Sequence, residues 1–186
     1  MEQDEFDKAT EQYKDVVPTP LVDIAKDLGI EVFLTKRFND STSGQIQKEG
    51  NRYAIYLNAN HSYTRNRFTL AHELAHFKYD KNFLEKEEEI EDFKGRTFRI
   101  PSSLPRSKDT LHDERERRAD SFAAELLMPE EKFVDIWERK ATIQEVADFF
   151  EVSPEAAETR ARVITAKRSN EGSEESTEAT SPTRDN

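Results

Sequence analysis

The sequence contains no cysteine among its 186 residues. Disulfides, thiolate metal sites and a cysteine nucleophile are therefore excluded, and any metal must be held by histidine and carboxylate side chains. Histidine is itself scarce, with four in the chain. An excess of positive charge is missing too: 28 Lys and Arg stand against 39 Asp and Glu, a formal net charge of -11. That balance argues against coating nucleic acid, which needs a basic face. No apolar run approaches the roughly 18 residues that a membrane-spanning helix requires. The acidic start, Met1-Glu2-Gln3-Asp4-Glu5, is not followed by the apolar core of a secretory signal. Together these absences predict a soluble cytoplasmic protein with no membrane partner. An apolar fraction of 34% against a charged fraction of 36% suits a compact core with long solvated surfaces.

What is present is organised by hydrophobic period, and the reading is an α+β chain. Residues 1–17 are polar and predict a weakly anchored helix. Between Pro18 and Leu28, Leu21, Ile24, Ala25 and Leu28 recur at helical spacing, with Gly29 as the stop. Ile30–Thr35 reads as a strand. Residues 44–49 and 52–57 flank Gly50-Asn51, a hairpin signal, so a small antiparallel sheet is expected. From Ser62 to Tyr79 the pattern is helical, with Phe68, Ala71, His72, Ala75, His76 and Tyr79 on one face. Residues 80–111 form a long charged connection with one short strand expected around Phe98-Arg99-Ile100; such connections usually carry function. A second helix spans about His112 to Met128, and Pro129 opens a third. Thr142–Phe150 and Pro154 to about Ala166 make a helix-turn-helix-like pair. The division expected is a polar segment 1–17, a main domain 18–140, a helical appendage 141–168 and a disordered acidic tail 169–186.

The chemistry concentrates in His72-Glu73-Leu74-Ala75-His76. Two histidines one helical turn apart present both imidazoles to a single point, which suits a tetrahedral Zn2+ with Zn–N bonds of about 2.0–2.1 Å. Glu73 lies about 100° around the helix from His72, where its carboxylate can border an open coordination position and act as base. Such a pattern arises by chance in on the order of one chain of this length in a few hundred. Its placement on the apolar stripe lowers that risk, because two buried imidazoles need partners. A catalytic zinc takes three protein ligands, and Glu116 is the candidate for the third. It shares a stripe with Asp120, Ala123 and Leu127, and a carboxylate on a buried face needs a cation. Asp120 could accept a hydrogen bond from a ligating imidazole. Asp113 and Glu114 lie off the stripe and read as surface residues. His112 lies on it, as a ligand, a transition-state donor or a simple first-turn residue.

Arg67 through His76, with Glu116-Arg117-Arg118-Ala119-Asp120 and its continuation through Met128-Pro129, resembles the ImmA/IrrE metallopeptidases. Gly29-Ile30-Glu31-Val32, the hairpin leading to Leu57-Asn58, and Phe150 through Ala157 are similar to that family as well. The resemblance covers roughly residues 18–166. It implies a zincin-like domain with a small sheet packed on the helix that carries the histidine pair, and with Glu116 as third ligand. It also implies a site-specific endopeptidase whose substrate is a helix-turn-helix repressor of stress-response, phage or mobile-element genes. The chain departs from the family at Ala75, commonly Gly, and at Asp80, often His.

On this reading Glu73 activates water, and His112, Tyr79 or an Arg from 80–111 steadies the oxyanion. Two other classes compete. One is a zinc-stabilised module that grips a regulator without cutting it, which would have no need of Glu73. The other is DNA binding through Arg160, Arg162, Lys167 and Arg168. The overall acidity favours a helical pair packed on the domain instead.

Overall fold

The computed structural model describes residues 5–84, 90–91, 97–98, 110–139 and 142–178. The described residues form seven helices and a three-stranded sheet that packs against α2 and α3, in the order α1 (Glu5–Glu11), α2 (Leu21–Asp27), β1 (Ile30–Thr35), β2 (Gly44–Glu49), β3 (Arg52–Asn58) and α3 (Tyr63–Leu84). A small antiparallel pair follows, β4 (Ile90–Glu91) and β5 (Thr97–Phe98), then α4 (Thr110–Leu127), α5 (Glu130–Glu138), α6 (Ile143–Phe150) and α7 (Pro154–Glu178). The strand expected near Phe98 is β5; Arg99 and Ile100 lie outside the described residues. Among the described residues no helix is long and apolar enough to cross a membrane.

The hairpin forms as the Gly50-Asn51 signal predicts, with Glu49 opposite Arg52 and Gly50 at φ +61°, a backbone region that costs other residues strain. The sheet as a whole is not antiparallel, however. Its order is β1-β3-β2, and β1 runs parallel to β3, with Ile30 beside Tyr53 and Thr35 beside Asn58. Burial explains this correction. β3 carries Tyr53, Ala54, Ile55, Leu57 and Asn58 inside, so it takes the centre. The outer edge of β2 is occupied by α3, whose Glu73 carboxylate accepts the Ile46 N–H. β1 therefore joins the free side of β3. Gly44 allows α3 to come close to β2: a Cβ there would stand 2.5 Å from Thr69 Cγ2.

Leu21, Ile24, Ile55, Leu74, Leu127, Met128, Phe133, Val146 and Phe150 lie within one core cluster, so both the sheet and the last helices contribute to it. The C-terminal pair is further tied down by buried Arg160, which donates to the Met128 carbonyl at 3.0 Å and pairs with Glu125. Thr142 and Glu145 form a reciprocal capping box that starts α6.

Two terminal expectations are corrected. α1 is anchored, because Phe6 is only 2% exposed, meets Phe122 edge-to-face at 5.4 Å and lies beneath the Lys78 ammonium. At the other end the chain stays helical past 169, through Glu178. Glu171, Glu174 and Glu175 are good helix formers, and no proline intervenes before Pro182.

Candidate metal centre

Helix α3 is preceded by Ser62, whose Oγ accepts the Arg65 N–H and so satisfies one of the orphan donors of the first turn. One face of α3, with Leu70, Ala71, Leu74, Ala75 and Phe77, is buried in the core. That packing fixes the helix rotation, and the rotation aims His72 and His76 at α4, where Glu116 and Asp120 sit one turn apart.

The histidine Nε2 atoms are 3.0 Å apart. Glu116 reaches both, with Oε2 at 3.3 Å from His72 Nε2 and Oε1 at 3.5 Å from His76 Nε2. Ligand atoms from all three residues lie within 4.8 Å of one another, so the group could hold a metal ion. The chemistry of the donors fits one. Two imidazole nitrogens and a carboxylate converging on one point form a donor set that suits a divalent cation. Two nitrogens on a tetrahedral zinc would stand about 3.3 Å apart.

Each ring is oriented from behind by a carboxylate. His72 Nδ1–H donates to Asp120 Oδ1 at 2.8 Å, and His76 Nδ1–H donates to Asp80 Oδ2 at 2.8 Å. Both rings thereby turn Nε2 toward the common point. Burial alone would lower the His72 pKa. Hydrogen bonds to Asp120 and Glu116, with the charges of Glu73 and Glu116, outweigh it and push the value up to about 10.

Glu73 is 8% exposed. Its Oε2 accepts the Ile46 N–H at 2.9 Å, so the edge strand holds one oxygen and Oε1 remains for chemistry. Burial pushes the carboxyl above the usual carboxylate range, against the pull of His76, His72 and the Ile46 N–H. Raised carboxyl groups in clefts suit general acid–base work near neutral pH.

The structure thus brings together His72, Glu73, His76, Glu116 and Asp120. Tyr79 is 42% exposed, and its ring rests on Phe122 at 5.5 Å and beneath the Arg118 guanidinium at 4.9 Å. His112 belongs to α4, but its side chain lies outside the described residues. Asp113 and Glu114 are exposed, as the stripe suggests. Sequence reasoning passed over Asp80, which it treated only as a departure from a family pattern. The available signal was spacing, because Asp80 follows His76 by one helical turn. The Ile46 amide left no signal, since a backbone donor has no residue type.

The model of the Peptidase_M78 family, described as the IrrE N-terminal-like domain, matches residues 25–162, well over half of the chain. No curated protein gives a match. Among solved structures, a chain described as a Mycobacterium tuberculosis transcriptional regulator is similar, with a TM-score of 0.57 and 14% sequence identity. The match covers 82% of this chain and 43% of that one, so this chain spans under half the length of that structure. The likeness is one of fold.

Proposed function

The chain belongs to the Peptidase_M78 family, that of the IrrE N-terminal-like domain, and on that premise we propose that it is a zinc-dependent metallo-endopeptidase that cuts a helix-turn-helix transcriptional repressor in the cytoplasm. The observation that carries the reading is a buried, singly tethered carboxylate beside a three-residue ligand group. On this reading the domain is zincin-like, His72, His76 and Glu116 are the ligands, and Glu73 is the catalytic base.

Bound zinc supplies Lewis acidity to the scissile carbonyl and to the attacking water. The protein's own groups do the rest. Glu73 keeps Oε2 on the Ile46 N–H, so Oε1 takes the proton from water and returns it to the leaving amine. Asp120 holds His72 in the Nδ1–H tautomer. His112, on the helix that carries Glu116, and Tyr79, whose ring is engaged with Phe122, are the proposed oxyanion donors. Direct DNA contact is not part of the proposal. Lys167 and Arg168 face Glu130 and Glu138, and Arg160 is buried.

The test is a cleavage assay on a purified candidate repressor. Glu73→Gln should keep the metal and lose about 10²–10⁴ in rate. Glu116→Ala should lose metal affinity. If wild type and Glu73→Gln act alike on the repressor, the peptidase reading is wrong. A zinc-stabilised module that binds a regulator without cutting it would take its place.

A further inference from the structure

Helix α3 leaves helical geometry at Asp80, with φ -119° and ψ 16°, one turn past His76. The Asp80 side chain is 7% exposed. A carboxylate so deeply placed needs compensating donors. It has them from two helices: His76 Nδ1 on Oδ2 and the Arg118 Nη2 at 2.6 Å on Oδ1, with the Arg115 guanidinium forming an ion pair, not a hydrogen bond, at 3.1 Å from the same Oδ1. Both arginines belong to α4, the helix of Glu116. With each oxygen engaged on a different side, the carboxylate cannot swing without breaking a charge-assisted hydrogen bond.

We infer that Asp80 is a positioning residue that fixes the His76 ring, with Nε2 aimed at the point shared with His72 and Glu116, from a mount built by Arg115 and Arg118 of the facing helix. The inference rests on the metal-centre reading and deepens it. It makes the α3–α4 contact at Asp80, behind the His76 ring, part of what shapes the ligand group. It also breaks the apparent symmetry of the two histidines. Asp120 makes the matching bond to His72, yet its side chain is 60% exposed against 7% for Asp80. A hydrogen bond out of water is electrostatically stronger, so His76 is held more firmly than His72.

The test uses the full chain loaded with zinc and reads two quantities, zinc affinity by chelator competition and the downfield imidazole N–H protons by NMR. Wild type should show two such protons, from His72 and His76 Nδ1. Asp80→Ala should abolish the His76 signal and weaken zinc binding about 10–100-fold, more than Asp120→Ala does. Asp80→Asn keeps an acceptor oxygen and should restore part of both. Zinc affinity within twofold of wild type in Asp80→Ala, or a persisting His76 signal, overturns the assignment. If Asp80→Ala does not fold, Asp80→Asn decides: an unshifted His76 proton with unchanged affinity refutes the role. Neither readout involves cleavage. A chain that binds zinc in this way but cuts nothing would refute the peptidase reading and leave Asp80 in place.

Discussion

Replacing Gly44 with alanine should disturb the proposed base, Glu73, without touching it. A Cβ at Gly44 would lie 2.5 Å from Thr69 Cγ2, 3.0 Å from the Tyr56 carbonyl oxygen and 3.3 Å from Leu57 Cδ2. Ordinary carbon contacts begin near 3.5 Å, so β2 and α3 must separate by about 1 Å. Overpacking of that kind costs about 1–3 kcal/mol. The chemistry is two residues along: Ile46 gives its N–H to Glu73, and moving β2 pulls that donor away. A misplacement of about 1 Å at a catalytic group can lower the rate about 100-fold. Thr69→Ser removes the Cγ2 that collides and keeps the hydroxyl bond to the Arg65 carbonyl. It should therefore offset part of the Gly44→Ala cost, while the Tyr56 carbonyl leaves a remainder. Urea unfolding of both single variants and the double variant measures the coupling, and repressor cleavage follows the rate. Additive single costs, or a Gly44→Ala loss below about 0.5 kcal/mol, would show that the close approach is not a constraint.

Phe6→Ala should release α1 from Phe122 and Lys78. The cost should be about 3 kcal/mol at most, since an undocked helix leaves no sealed cavity. Hydrogen exchange should lose protection over 5–11, and unchanged thermal melting would contradict this account. A second expectation concerns pH in the metal-free protein, where His72 is pushed from 6.5 up to about 10. A raised folded-state pKa means that its proton stabilises fully below about 6.5, and that this contribution is lost as pH rises through about 10. Zinc at the proposed site would take the same Nε2, so loading would displace the proton and apparent affinity should climb by up to tenfold per pH unit within that window. A chelator competition that gives one affinity from pH 7 to 9 would rule this out.

The parts of the site legible in the sequence are those confined to a single helix. His72 and His76 stand one turn apart on α3, and Glu116 and Asp120 one turn apart on α4, so spacing alone assigns each pair a common face, with Glu73 bordering the first. The family resemblance, which the family match bears out, named Glu116 as the partner of the histidines. What periodicity cannot express is contact between elements. The parallel pairing of β1 with β3 depends on which strand is central, and no single strand's pattern contains that. Asp80 looks like one more acid in a chain with 39 of them; its burial arises only when Arg115 and Arg118 arrive from another helix. Phe6 is one apolar residue in a polar stretch. It finds its partner, Phe122, on an element far along the chain.

The separation of the ligands along the chain has a further consequence, in polymer terms. His76 and Glu116 are 40 positions apart (116 − 76) and come from different helices. An ion held between them is a cross-link that closes a long loop, and long loops lose the most freedom on closure. Because the unfolded chain does not gather those ligands, free metal at 100 times its dissociation constant would add about 2.7 kcal/mol to the folded state. Under the proposed reading the ion would work as a clasp as well as a reagent, so the supply of free metal would set how long the protein survives, in the Glu73→Gln variant no less than in the wild type.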